Sequence, residues 1–284
     1  MQQNLDYIRK ELETFYPAEE IEGFIRMIFH HLKGYSLTDL VLRRDERFSE
    51  EDEKSIRNAV EQLKQHIPIQ YIIGEAEFCD LKFRVSPDVL IPRPETEELV
   101  LWIAEDYQGA TNLQAFDACT GSGCIAISLA KMLSQAEVSA CDISEKALQM
   151  AEANAELNQV NVRFERLDML HWQGFEGEQQ FDCIVSNPPY VLDSEKAQMN
   201  DNVLEHEPHL ALFVADDEAL IFYESIASFA KVHLKAGGHL YFEINEAFGE
   251  EMKQMLQGMG FVDVELRQDV FGKNRMMRAK MPNS

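Results

Sequence analysis

No stretch of this sequence approaches the roughly 20 apolar residues that a membrane-crossing helix needs, so an integral membrane protein is not expected. The first residues, Met1-Gln2-Gln3-Asn4-Leu5-Asp6, lack the basic start and apolar run of a cleavable leader, which points to the cytoplasm. Positive charge is scarce: 26 Lys and Arg stand against 50 Asp and Glu, a formal net charge of −24. Such a chain repels a phosphate backbone over a Debye length, and no dense basic cluster offsets the repulsion. Direct nucleic-acid binding is therefore not expected. Cysteine is sparse and odd in number, and Cys79, Cys119, Cys124, Cys141 and Cys183 are dispersed, mostly in apolar runs. They read as buried free thiols rather than disulfides or ligands, and no metal site is expected. There is neither an internal repeat nor a low-complexity tract.

What remains is the composition of a soluble globular protein, 45% hydrophobic and 27% charged over 284 residues, long enough for two domains. Residues 1–74 read as a small all-helical domain. Leu5, Ile8, Leu12 and Phe15, then Ile21, Phe24, Ile25, Ile28, Phe29 and Leu32, recur at three- and four-residue steps, with breaks at Pro17 and Gly34. After a short segment at Leu37–Arg43, Ser49-Glu50-Glu51-Asp52 resembles a capping box opening a helix whose apolar face is Ile56, Val60, Leu63 and Ile67, ended by Pro68.

Residues 75–95 read as a linker. Phe78, Leu81, Phe83 and Val85 flank a turn at Cys79-Asp80, giving a β-hairpin, and prolines 87, 92 and 94 stiffen the rest of the linker. Over residues 96–284 the pattern becomes strands alternating with helices, the signature of a parallel sheet covered on both faces. Strands are expected near 113–117, 137–142, 162–167, 181–186, 238–244, 261–267 and 275–280. Only the loop Gln268–Asn274 separates the last two, too little for a crossover helix, so they should pair antiparallel.

Between the first strand of this region and its helix lies Phe116-Asp117-Ala118-Cys119-Thr120-Gly121-Ser122-Gly123-Cys124-Ile125-Ala126. Glycine permits a sharp turn and a close approach of ligand to the helix N-terminus. The next strand ends at Asp142, where a carboxylate can accept hydrogen bonds from both ribose hydroxyls. These features describe a nucleoside site but do not separate one adenosyl cofactor from another, since Gly121-x-Gly123-x-x-Ala126 also satisfies a dinucleotide fingerprint. Asp168, closing the third strand, is placed to meet an adenine amino group, with Met169 beside it as an apolar cover.

The fourth strand, Phe181–Ser186, runs directly into Asn187-Pro188-Pro189-Tyr190. An amide nitrogen is a poor nucleophile because its lone pair is shared with the carbonyl, so a catalyst must orient it. The Asn187 side-chain carbonyl and the Pro188 main-chain carbonyl can accept from the two N–H groups of such a nitrogen, while Tyr190 lies against the planar amide. The prolines hold the backbone in place, so the acceptors are preorganised.

This tetrapeptide resembles the signature of methyltransferases that act on planar nitrogens, whether adenine amino groups or glutamine. Gln70-Tyr71-Ile72-Ile73-Gly74-Glu75-Ala76-Glu77-Phe78 and Val89-Leu90-Ile91-Pro92-Arg93-Pro94-Glu95-Thr96-Glu97 closely match the linker of the PrmC/HemK family, the glutamine methyltransferases of peptide chain release factors. Glu207-Pro208 with Ala211-Leu212, and Gly237-Gly238 with Glu243, match further on. The resemblance covers essentially the whole chain. It implies a class I S-adenosylmethionine-dependent methyltransferase fold, Rossmann-like with a mainly parallel seven-stranded sheet, behind a helical domain that helps grip the substrate. It implies the glutamine of the Gly-Gly-Gln loop of class I release factors as substrate, and S-adenosylhomocysteine as the second product.

Carried over by position, Thr120, Gly121, Ser122 and Gly123, with Cys119 beside them, line the methionine end of the cofactor. Asp142 meets its ribose, Asp168 and Met169 its adenine, and Asn187, Pro188, Pro189 and Tyr190 hold the glutamine amide. Cys119 and Asn245 stand where the family commonly has glycine, and Met169 where it often has an aromatic. Arg93 is read either as a partner for a carboxylate near the cofactor or as an anchor of the linker. The competing readings are an amino-adenine methyltransferase of nucleic acid, a glutamine methyltransferase of a ribosomal protein, and a non-catalytic module keeping a cofactor-shaped fold.

Overall fold

The computed structural model describes residues 1–175 and 179–283. In chain order its main elements are α1 (Gln2–Leu12), α2 (Ala18–Lys33), α3 (Leu37–Leu42), α4 (Glu50–Leu63), α5 (Ile69–Ile73), β1 (Glu75–Phe78), β2 (Leu81–Arg84), α6 (Pro94–Asp106), β3 (Gln114–Ala118) and α7 (Cys124–Met132). There follow β4 (Glu137–Asp142), α8 (Glu145–Asn158), β5 (Val162–Arg166), β6 (Phe181–Ser186), β7 (Val191–Leu192), α9 (Asp201–His206), β8 (Phe213–Val214), α10 (Ile221–His233), β9 (Leu234–Glu243), α11 (Gly249–Gly258), β10 (Val262–Gln268) and β11 (Asn274–Lys280). The chain divides into two compact units, one of residues 1–75 with 200–206 and one of residues 76–199 with 207–283.

The helical unit is built around the apolar stripes visible in its sequence. Leu5, Ile8 and Leu12 of α1, Ile21, Phe24, Ile25, Ile28 and Phe29 of α2, and Ile56, Val60 and Leu63 of α4 are all buried together. Two positions depart from the expected periodicity. Phe15 lies beyond the end of α1 and is exposed, and Ile67 lies beyond α4, which ends at Leu63 rather than at Pro68. The chain needs those extra residues to turn before Pro17 and Pro68, neither of which can continue a helix. The capping box is present: Ser49 Oγ accepts from the Asp52 N–H at 3.1 Å and the Asp52 carboxylate accepts from the Ser49 N–H at 3.2 Å. Helix α9, contributed from far along the chain, groups with these helices; the His206 ring meets the Gln65 carbonyl at 2.9 Å.

In the larger unit β3, β4, β5, β6 and β9 run parallel, and the sheet order is β10-β11-β9-β6-β3-β4-β5. The last two strands do pair antiparallel, and β11 lies between β9 and β10, antiparallel to both. Central strands are apolar along their length because both faces are covered. Phe116, Phe181, Ile184 and Phe242 pack toward α10 and α11, and Phe116 lies 4.9 Å from Phe181 and 5.2 Å from Phe229 between ring centres. Ala115, Cys183, Val185 and Tyr241 pack on the other face with Leu99, Trp102, Ile127 and Leu129. Of the cysteines only Cys141 and Cys183 are fully buried; Cys79, Cys119 and Cys124 are half-buried, and all five are free thiols. The two thiols inside strands are buried, whereas the three at turns and a helix start are only half-buried.

The hairpin forms as expected, with Cys79 (φ 49°) and Asp80 (φ 59°) both left-handed, the conformation a two-residue turn between twisted strands requires. It is fastened to α8. Asn154, fully buried, accepts from the Arg84 N–H at 2.7 Å and donates to the Arg84 carbonyl at 3.0 Å and the Ser122 carbonyl at 2.9 Å. One amide thus joins the hairpin to the glycine-containing loop after β3.

Replacing Ser49 by Ala removes the cap of α4 and is expected to cost about 1 kcal/mol. Hydrogen exchange of the first-turn amides of α4 checks this: protection should fall there, and unchanged protection would show the box to be idle.

Candidate active site

Chain order carries β3 to β4 and β5 on one side, then returns to lay β6 on the other side of β3. At such a switch point the loops leaving two neighbouring strands diverge and open a crevice at their carboxyl ends. A cavity of about 320 Å³ lies there, within the range of small-molecule sites.

The loop after β3 turns through Cys119 (φ 62°), Gly121 (φ 56°) and Gly123 (φ 82°). Gly123 could not carry a side chain, because a Cβ would come within 2.9 Å of Ile127 and 3.0 Å of Ala151. Cys119 shows why glycine suits its position: it holds a left-handed conformation that costs a non-glycine residue about 1–2 kcal/mol. Asp142 at the end of β4 accepts the Gly121 N–H and the Ser144 N–H, each at 2.9 Å, one on each oxygen. Its carboxylate is thereby aimed, with lone pairs left for a ligand, and burial pushes its pKa up. Asp168 accepts from the Leu170 N–H at 2.9 Å and pairs with His171 at 2.7 Å. Met169 beside it is buried.

Of the residues singled out in the sequence, Cys119, Thr120, Gly121, Ser122, Asp142, Asp168, Met169, Asn187 and Pro189 line this one cavity, whereas Gly123, Pro188 and Tyr190 do not. Gly123 lies behind the turn, as its packing against α8 explains. Arg93 also lines the cavity, and its guanidinium meets the buried Glu207 carboxylate at 2.6 Å, while the other Glu207 oxygen accepts the Ile91 N–H at 3.3 Å. The two roles open to Arg93 are therefore one interaction: it pairs with a carboxylate beside the cavity, and that pair ties the 87–93 segment to the loop at Glu207.

Four residues, Glu243, Thr96, Asn245 and Asp117, were missed by sequence reasoning or given no role. Glu243, fully buried at the end of β9, accepts from Thr96 Oγ1 at 2.5 Å and from the Tyr190 hydroxyl at 2.9 Å. Thr96 in turn accepts from Asn187 Nδ2 at 3.2 Å. Burial raises the Glu243 pKa, opposed by these two hydrogen bonds and by the charge of Arg275. Asn245 has φ −65°, so glycine is not needed there, and its side-chain nitrogen donates to the Tyr190 carbonyl at 3.2 Å and to Glu195 at 3.0 Å. Asp117 in β3 is the fourth. It is fully buried; one oxygen accepts from Thr120 Oγ1 at 2.6 Å and the other has no hydrogen-bond partner. Desolvation pushes it up to about 7, opposed by the Thr120 hydrogen bond and, less, by the Ala126 N–H, with Asp142 adding a small upward push.

A cavity bordered by the carboxylates of Asp142 and Asp168 suits a ligand that carries hydroxyls and positive charge. S-adenosylmethionine has both, in its ribose, sulfonium and ammonium groups. The residues present fit it.

Family models match two parts of the chain, the PrmC N-terminal domain over residues 3–74 and the Methyltransferase small domain over residues 99–210. Among solved structures, a methyltransferase from Pyrococcus furiosus aligns with 71% of this chain and 89% of its own at a TM-score of 0.51 and 19% identity. The T. thermophilus 16S rRNA N2 G1207 methyltransferase, solved with AdoMet and guanosine, aligns with 73% of this chain and 49% of its own at a TM-score of 0.54 and 17% identity. Such likeness speaks to fold, and with the site above it defines a class I S-adenosylmethionine-dependent methyltransferase. A release factor glutamine methyltransferase of Bacteroides thetaiotaomicron is 45% identical over 96% of this chain and 97% of its own, and one of Flavobacterium psychrophilum 45% identical over 94% of each. The chain belongs to the release factor glutamine methyltransferase family.

Asp117 makes stability depend on pH. Its folded pKa near 7 lies above the unfolded carboxylate value, so the folded state binds the extra proton and stability falls as pH rises between the two values. Comparing urea unfolding at about pH 5.5 and about pH 8, the native chain should lose on the order of 2 kcal/mol more than Asp117→Asn. Equal losses would mean that the carboxylate is compensated.

Proposed function

We propose that this chain transfers a methyl group from S-adenosylmethionine to the side-chain amide nitrogen, N5, of the glutamine in the Gly-Gly-Gln loop of class I release factors. The observation that carries the reading is that Asn187 and Pro189, at the end of β6, line the same cavity as the cofactor-type residues Thr120 and Asp142. When bound, S-adenosylmethionine supplies an electrophilic methyl on a cationic sulfur. In our reading Asp142 binds the ribose hydroxyls, Thr120 to Gly123 with Cys119 cradle the methionine end, and Asp168 and Met169 face adenine.

The substrate nitrogen must be turned so that its weak lone pair points at the methyl. Asn187 Oδ1 and the Pro188 carbonyl accept its two N–H groups, and Tyr190 backs the planar amide. Holding the nitrogen in one orientation replaces a search by a fixed approach, and this kind of positioning is where the acceleration comes from. The proton leaves after the methyl has joined, when the nitrogen has become acidic, so no strong base is required.

We place the enzyme in the cytoplasm, acting on a protein and not on nucleic acid. No described helix is long and apolar enough to cross a membrane. The net charge of −24 favours a partner with basic patches and opposes RNA. The measured association rate with release factor should therefore fall as salt is raised; a flat profile would rule out electrostatic steering.

The direct test offers labelled S-adenosylmethionine to purified release factor and to the same factor with its Gly-Gly-Gln glutamine changed to alanine. Label on the first alone is the expected result, and label on neither, with cofactor still bound, would overturn the substrate. Asn187→Ala should leave cofactor affinity nearly normal and lower the methylation rate by about 10²–10³-fold, as for other lost preorganised contacts. An unchanged rate would remove Asn187 from the mechanism.

A further inference from the structure

Along the chain of hydrogen bonds behind the tetrapeptide, each proton has one direction available. Glu243 accepts on both oxygens, from Thr96 on one and Tyr190 on the other. An ionised carboxylate has no proton to give. Thr96 therefore spends its single hydroxyl proton on Glu243, and what it offers Asn187 is a lone pair. Asn187 can answer only with Nδ2, as the 3.2 Å contact shows. A side-chain amide held by its nitrogen turns its carbonyl oxygen the other way.

We propose that Thr96 and Glu243 are positioning residues that lock the Asn187 amide with its oxygen toward the substrate, so that the site accepts a nitrogen bearing two hydrogens. The inference rests on the reading of Asn187 as an acceptor for the substrate amide. Were Asn187 flipped, its oxygen would face the Thr96 oxygen with no proton between them, and its NH₂ would face the substrate NH₂, donor against donor. Both contacts would be lost together. The same carboxylate also anchors the far end of the motif through the Tyr190 hydroxyl, while Asn245 holds the Tyr190 carbonyl. One buried acid thus determines the orientation of both polar side chains of Asn-Pro-Pro-Tyr, and it does so without touching substrate.

The test uses the full chain, S-adenosylmethionine and purified release factor, with kcat, KM, cofactor affinity and thermal midpoint measured separately. Thr96→Val keeps the shape and deletes the hydroxyl. Glu243→Gln keeps the shape but offers one acceptor and one donor in place of two acceptors, so it cannot accept from both Thr96 and Tyr190. Each is expected to lower kcat by about 10- to 100-fold while the KM for release factor and the cofactor affinity stay within about threefold. Thr96→Ser, which restores the hydroxyl, should recover most of the rate. If Thr96→Val turns over like the native chain while Asn187→Ala is impaired, the positioning role is wrong. If Asn187→Ala is also unimpaired, the reading of Asn187 fails instead. Loss of rate in step with cofactor affinity and midpoint, without rescue by Ser, would reduce Thr96 to a structural residue and overturn the proposal.

Discussion

A carboxylate taken out of water is costly unless its oxygens are answered, and the active-site end of this sheet is organised around one whose oxygens both are. Glu243 lies fully buried at the end of β9 and draws a hydroxyl from α6, Thr96, and another from the loop after β6, Tyr190. Arg275 on β11 contributes favourable charge from the neighbouring strand. Removing any one partner leaves an acceptor unpaired in a low-dielectric place, a cost of about 1–3 kcal/mol or more for a charged group. The need to satisfy one acid thus holds three separate elements in register at the point where the substrate nitrogen must be oriented.

The cofactor side obeys a related constraint expressed through the backbone. The turn after β3 uses three left-handed residues in five positions, and Asp142 reaches across from β4 to take the Gly121 N–H. Asn154 holds the Ser122 carbonyl from α8 and the hairpin strand β2 at once. The loop is therefore supported from two directions before any ligand arrives. This support is what preorganisation requires, because a loop that had to order itself on binding would lose part of the binding energy to entropy.

Much of the architecture was legible in the sequence. The seven strands of the main sheet, the hairpin turn at Cys79-Asp80 and the capping box at Ser49 are all present, because each is written in neighbouring residues through periodicity, turn chemistry or a three-residue spacing. The misreadings are equally local in cause. Phe15 continues the spacing of α1 but lies past its end, and the half-buried Cys119 and Cys124 sit beside apolar runs without being inside the strands. The insertion of β11 between β9 and β10 had no signal, since a short loop dictates antiparallel pairing with one neighbour but says nothing about the other. At the site, the residues noted for their type, Asp142, the glycine loop and Asn187, do come together around one cavity. Thr96 and Asp117 were quoted within motifs but given no role, because a local run does not show which distant side chain each one meets.

By itself the sequence determined the elements, their alternation and the chemistry of the two loops, because backbone preference, side-chain period and motif all act over a few residues. Only the tertiary structure decided which of those side chains face one another. Thr96 and Glu243 are 147 positions apart, Arg93 and Glu207 are 114 apart, and Asn245 and Tyr190 are 55 apart. Each pair meets because the start of α6 and the loops after β6, α9 and β9 gather at the carboxyl ends of the parallel strands. Hydrogen-bond direction, and with it the orientation of Asn187, exists only once that edge has formed.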